Sequence, residues 1–167
     1  MEPIYNIPML RHVALEATQV APTFVALPDL QHPRVNVLSD LDVTVLPIAN
    51  AAQGQSVSLR DAVVQLPECA GFLVVLADMP DLTAADMASV IAAGPIARGM
   101  TQDGKPGHPV WFDAKYRSEF QTLTGDSGAK AILKNHNVTM VPLNGNRARR
   151  DIDTPEEWKK YRSETGR

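Results

Sequence analysis

The run Phe72-Leu73-Val74-Val75-Leu76-Ala77 restricts the fold more than any other segment of the chain. Its residues are apolar in succession rather than alternately, the pattern of a strand buried on both faces. Such strands belong to parallel sheets covered by helices on both sides. The run stops at Asp78-Met79-Pro80. Around it, other segments fall into line. Pro8 to Thr18 predicts a helix with Pro8 near its first turn. Thr23 to Leu27 predicts a buried strand, Asp42 to Ile48 a second strand, and Ser56 to Leu66 a helix preceded by Gly54. A further helix starts at about Thr83, with Thr83 and Asp86 spaced as an N-cap pair, and stops near Gly94-Pro95. Asp103 to His108 predicts a loop and Val110 to Phe112 a short strand. Gly125 to Gly128 opens a helix over Ala129 to His136. Val138 to Leu143 is the last strand, and Asp153 to Tyr161 the last helix, with Pro155 in its first turn. Strands alternating with helices imply an α/β domain of three layers, doubly wound on a mainly parallel sheet. The 167 residues fit one such domain.

Composition narrows the partners. The formal net charge is −3 and aromatics make up only 5%, with no basic stripe interleaved with aromatic residues, so nucleic acid is excluded as the expected partner. A small anionic substrate stays compatible, because helix N-termini and a metal ion hold phosphates even on an acidic protein. Cys69 is the single cysteine, so no intrachain disulfide forms and a reducing compartment is expected. No apolar run approaches the ~18–20 residues that cross a bilayer. The start, MEPIYNIPML, lacks a basic region followed by an apolar stretch, so the expectation is a cytoplasmic protein with no membrane contact.

In open α/β sheets, ligands bind outside the carboxyl ends of the strands. Asp78 stands at that point on the most apolar strand. A carboxylate there either holds a hard divalent cation or caps the following turn. Asp151 and Asp153 are two residues apart and share one face of an extended backbone, so one of them could join Asp78 across a metal. Asp153 also fits an N-cap position before Thr154-Pro155. Gly125 to Gly128 marks a tight turn or an anion cradle at a helix start. His108, between Gly107 and Pro109, reads as a loop histidine able to bond a substrate or a base edge. Arg147, Arg149 and Arg150 form a basic cluster that reads as solvated surface or a phosphate contact. Walker A, Rossmann glycine, HExxH and G-x-S-x-G patterns are absent, and no histidine neighbours Ser56 or Ser58, so covalent catalysis is not suggested.

Four segments in this order carry a resemblance: GQSVSLRDAV (Gly54 to Val63), LADMPDLTAADM (Leu76 to Met87), GHPVWF with GDSGAKAIL (Gly107 to Phe112 and Gly125 to Leu133), and DIDTPEE (Asp151 to Glu157). The chain resembles the MobA-like nucleotidyltransferases. The GHP and GD-x-GA motifs resemble the MocA branch, the molybdenum cofactor cytidylyltransferases. The resemblance implies a Rossmann-like fold of the nucleotide-diphospho-sugar transferase type. It implies transfer of a nucleoside monophosphate from CTP or GTP to a molybdopterin-type phosphate acceptor, with Mg²⁺ and release of pyrophosphate. It further implies Asp78 as catalytic and metal-binding, with Asp151 or Asp153 as the second acidic position. Gly54, Ser56 and Ser58 correspond to the nucleotide-side turn and helix start, and Gly107, His108 and Pro109 to the acceptor-side motif. A molybdoenzyme or its chaperone is the implied protein partner.

One departure is large. Members of the family open with a strand and a glycine-rich loop of the form L-A-A-G-x-S-x-R-M-G-x-x-K, then a segment like L-L-E-P-V-x-G-x-P-L-L-R. Here MEPIYNIPMLR matches that later segment from Met1. The resemblance therefore implies a missing first strand and phosphate loop, roughly 20 residues including a strand of about 5–6. The expected consequence is a chain inactive by itself, with a start assigned too late favoured over a truncated or a degenerate copy. Two other functions fit the same residues: a non-catalytic nucleotide- or pterin-binding module, and a sugar- or alditol-phosphate nucleotidyltransferase.

Overall fold

The computed structural model of the chain describes residues 3–4, 7–125 and 128–166. Strands β1 (Pro3–Ile4) and β2 (Ile7–Pro8) pair antiparallel ahead of helix α1 (Met9–Thr18), which buries Leu10, Val13 and Ala14. β3 (Thr23–Leu27) and β4 (Val43–Pro47) pair parallel, with Thr23 opposite Val43 and Leu27 opposite Pro47. Next come α2 (Gln55–Gln65), β5 (Gly71–Val74), α3 (Ala84–Ile91), β6 (Ile96–Met100), β7 (Pro106–Asp113), α4 (Lys130–Asn135), β8 (Thr139–Pro142) and α5 (Pro155–Thr165). The larger sheet has the order β5-β7-β6-β8. β6 and β8 run parallel, and β7 is antiparallel to both β5 and β6. Among the described residues no helix is long and apolar enough to cross a membrane.

Alternation along the strands sends side chains to two cores. On one face Phe72, Ile96, Val110 and Phe112 pack with Val63 of α2, Phe120, Leu123 and Ile132 of α4. The rings of Phe72, Phe112 and Phe120 meet there, with Phe120 edge-on to both others at 4.9 Å. On the other face Leu73, Val75, Val141 and Leu143 pack with Met79, Leu82 and Met87 of α3, and with Ala17 and Val20 at the end of α1. The result is three layers, helices on both sides of a mainly parallel sheet, as the alternation of elements requires.

Three expectations need correction. The run Phe72–Ala77 is not buried on both faces: its regular strand ends at Val74, and Leu73 to Leu76 are half-buried. The cause is that β5 pairs only with β7, so its other edge carries no strand among the described residues. Thr23–Leu27 is likewise buried only at Leu27, because β3 pairs only with β4. α1 spans both sheets, with Leu10 and Ala14 in the core over β3 and Ala17 in the core over β5. Finally, Asp103–His108 is not all loop and Val110–Phe112 is not the whole strand, since β7 starts at Pro106 and runs eight residues. Its partner β6 is a strand that Arg98-Gly99 conceals by breaking the apolar run.

Candidate functional site

Asp78 lies just beyond β5, on a segment fixed from several sides. Met79 and Pro80 are buried, and His12 of α1 bonds the Pro80 carbonyl through Nε2 at 3.1 Å. Glu16 accepts from the Ala84 N–H at 2.7 Å, which seats the start of α3 against α1. Thr83 and Asp86 close a capping box there, so Asp does take the place of the usual Glu or Gln.

The acidic segment is brought to Asp78 by the backbone. The Ile152 N–H donates to the Asp78 carbonyl at 3.0 Å. Ile152 itself is buried with Trp158 and Tyr161, so Asp151 and Asp153 flank it on the exposed side. Asp78 Oδ1 is buried and has no hydrogen-bond partner. Burial, reinforced by the charges of Asp153 and Asp151, holds the Asp78 carboxyl above the ordinary range against a bond to its own backbone N–H. A half-buried carboxylate with an orphaned oxygen and two acidic neighbours is suited to a cation. Among the described residues no three His, Cys, Asp or Glu side chains converge closely enough to hold a metal by themselves.

Asp153 is not the N-cap of the last helix. Thr154 takes that place, its Oγ1 accepting from the Glu157 N–H at 3.2 Å, while Glu157 Oε2 accepts from the N–H groups of Thr154 at 2.8 Å and Asp153 at 2.9 Å. These bonds hold the Glu157 carboxyl below the usual glutamate range. The carboxylate of Asp153 is thus not taken up by the cap, and its charge acts on Asp78. Thr154→Ala is expected to cost about 1 kcal/mol by uncapping α5, read as a lower denaturant midpoint at unchanged slope. An unchanged midpoint would show that α5 is held by Trp158 and Tyr161 alone.

Next to the acidic segment a cleft of about 710 Å³ opens between β6, β7, β8, α4 and the turn at Arg147–Arg149. Its mouth exists because the β6–β7 ladder is interrupted. Arg98 pairs with Val110 and Met100 with Pro106, so Gly107, His108 and Pro109 bulge out opposite Gly99. A proline is tolerated in this central strand at such a bulge. The His108–Pro109 peptide is cis. His108 is therefore not a solvated loop residue: it is half-buried and lines the cleft. Its Nδ1 is buried without a partner. Burial lowers its pKa, as does the Arg98 cation, while a hydrogen bond to the Val74 backbone and the charge of Asp151 work the other way. The imidazole is accordingly neutral near pH 7.

Gly54 starts α2 with φ 112°, a conformation that favours glycine. Ser56 is fully buried and its hydroxyl reaches the Gly128 carbonyl at 3.5 Å, while its N–H donates to Gly125 at 3.2 Å. The Ser58 hydroxyl turns back to Gly54. These hydroxyls therefore brace the helix start, and Gln55 is the neighbour that reaches the cleft. Asp126 and Ser127, the middle of the glycine turn considered as an anion cradle, lie outside the described residues.

The arginine cluster divides by role. Arg147 pairs with Asp86 at 3.2 Å, and Arg150 pairs with Asp81 at 3.4 Å and with Glu164. Tyr161 also donates to Asp81, at 3.0 Å, beneath the Arg150 guanidinium. Arg149 alone of the three lines the cleft, together with Arg98, Lys130 and Lys134. Spacing gave no hint of the last three, which come from separate elements.

A family model described as the MobA-like NTP transferase domain matches residues 1–140. The purine catabolism protein PucB of Bacillus subtilis is 27% identical over 114 residues, covering 66% of this chain and 56% of its own, so the chain spans little more than half of that relative's length. The Rv0371c protein of Mycobacterium tuberculosis, crystallised in complex with manganese, superposes with a TM-score of 0.81 at 22% identity over 96% of this chain and 88% of that one. A CMP:2-keto-3-deoxy-manno-octonic acid synthetase complexed with CTP superposes with a TM-score of 0.75 at 15% identity, covering 99% and 90%. Both share the fold of this chain over nearly its whole length. With the family model covering most of its length, from Met1 to Met140, the chain belongs to the MobA-like NTP transferases.

Proposed function

We propose that this domain transfers a nucleoside monophosphate from CTP, or GTP, to a molybdopterin-type phosphate acceptor in the manner of the MocA branch, in the cytoplasm. The observation that carries the reading is the buried, unpartnered Oδ1 of Asp78 at the end of β5, under the charges of Asp151 and Asp153 and beside a cleft with four cations. In the reaction an acceptor phosphate oxygen bonds to the α-phosphorus of the triphosphate. The bond from that phosphorus to the bridging oxygen breaks, and pyrophosphate leaves. Asp78, with Asp151 or Asp153 as the second acidic position, holds a divalent cation. Mg²⁺ is the expected ion, and the manganese complex of the mycobacterial relative supports divalent chemistry. When bound, the ion neutralises charge on the phosphates. His108, neutral and lining the cleft, contacts the acceptor, and Gly107 lets the turn carrying Arg149 approach it. The CTP complex of the synthetase supports a pyrimidine nucleotide as donor, and its name equally supports a sugar-type acceptor, the second reading.

The same reading assigns the triphosphate to a glycine-rich loop that the 167 residues do not contain, placed ahead of Met1. It is supported by the divided sheet. β3 and β5 each have one edge without a strand among the described residues, and α1 packs across both. One further strand between them would join the two sheets. The experiment is calorimetry of CTP and GTP with Mg²⁺ or Mn²⁺ on this chain and on a version extended upstream. Binding by the extended protein alone is the expected result. Equal binding by the 167-residue chain would mean that the loop is dispensable, and would favour a non-catalytic binding module.

A further inference from the structure

Arg98 is a cation in an unusual position. It projects from β6, a strand central to the larger sheet, and is half-buried. Its Nε–H donates to the Gly107 carbonyl at 3.0 Å, which fixes the plane of the guanidinium and leaves its terminal nitrogens directed elsewhere. No carboxylate lies within ion-pair distance of Arg98 or Arg149 among the described residues, although Arg147 and Arg150 on either side of Arg149 are both paired. Arg149 is close enough for the two cations to repel, its stem packing against Gly107. Two like charges held together at the wall of a cavity, one of them half-buried and oriented, cost folding free energy unless an anion completes them. The cleft also has an apolar lining, made by Leu133, Val138 and Met140, with Met140 beside Arg98 in the β6–β8 register.

We infer that Arg98 and Arg149 form the seat for the phosphate monoester of the acceptor, whose flat or apolar body lies on Leu133, Val138 and Met140. The planar fork of Arg98 matches two phosphate oxygens at once, and Arg149 supplies the second charge. Acceptors that carry a hydroxyl in place of a phosphate are thereby rejected, because they leave both cations uncompensated. What the bound phosphate goes on to do rests on the nucleotidyl-transfer reading. Whether it binds here does not.

The test uses phenyl phosphate as probe and phenol as its neutral counterpart, titrated into the 167-residue chain by calorimetry without added metal. Phenyl phosphate is expected to bind and phenol not to. Arg98→Gln should weaken phenyl phosphate binding roughly tenfold or more and Arg149→Gln severalfold, while Lys115→Gln, a cation outside the cleft, changes nothing. Arg98→Lys keeps the charge and loses the fork, so it should fall between wild type and Arg98→Gln. Thermal melts identify any variant that has lost its fold, and the graded loss at Arg149, an exposed residue, then carries the test. Equal affinity in wild type and both Gln variants, or phenol binding as well as phenyl phosphate, overturns the inference. So does displacement of phenyl phosphate by CTP in the loop-bearing protein, because the seat would then belong to the nucleotide. A loop-bearing protein that takes up no nucleotide while phenyl phosphate still depends on Arg98 would instead sink the transferase reading and leave the seat standing.

Discussion

Asp78→Asn, made in a protein that carries the phosphate loop, is expected to abolish metal-dependent nucleotidyl transfer while leaving the fold as stable as before or slightly more so. The two effects have one origin. The Asp78 carboxylate is half-buried, has an oxygen without a partner, and sits near Asp151 and Asp153. Its ionised form is therefore disfavoured in the folded state, and its folded pKa lies above that of the unfolded chain. For an acid this sign means that ionisation near neutral pH works against folding. The amide of Asn keeps the shape and removes the charge. What it would lose is the cation proposed for this site, and charge neutralisation at phosphates is worth several kcal/mol, so turnover should drop by roughly a hundredfold to a thousandfold. A metal that binds only the folded state also raises the melting temperature, and that increment should vanish in the variant. Turnover and metal-induced stabilisation like those of the wild type would remove Asp78 from the metal site.

Gly107→Ala should damage both stability and acceptor binding. A Cβ at Gly107 would come within 1.8 Å of the Ala148 carbonyl oxygen and 2.5 Å of its carbon, both backbone atoms that cannot rotate aside. The turn Arg147–Arg149 must then lift away from β7, carrying Arg149 and the start of the acidic segment with it. Overpacking of this kind costs typically about 1–3 kcal/mol. The same shift disturbs the Gly107 carbonyl that orients Arg98. Chemical denaturation and phenyl phosphate titration should both register the change. A variant that matched the wild type in both would show that the turn has slack against β7.

The parts of this fold that were legible in the sequence are those where one local signal decides. The apolar run Phe72–Ala77 announced a strand, and Thr83 with Asp86 announced a helix start, because a cap needs only its own neighbours. The extent of burial on β5 was not legible, since that depends on what pairs with its second edge. β6 escaped notice because Arg98 and Gly99 serve the cleft and the bulge rather than strand propensity. Gly107-His108-Pro109 resembles a turn for a related reason: the glycine answers a close approach by a distant segment, and the proline sits where the ladder is already broken. The acidic positions Asp78, Asp151 and Asp153 could be named from the sequence, but the bond from Ile152 to Asp78 that brings them together could not. Arg98, Lys130 and Lys134 meet only through the tertiary fold, so no spacing rule could have found them.

The division of the sheet bears on how the molecule opens. Between β3–β4 and the larger sheet there is side-chain packing, with α1 across both, but no backbone ladder among the described residues. Where packing stands without a ladder, the smaller two-stranded part is the one expected to open first. Fluctuations that part β3 from the rest need not disturb the Phe72–Phe112–Phe120 core or the cleft. A strand bridging β3 and β5 would join the two parts, so that they would open as one.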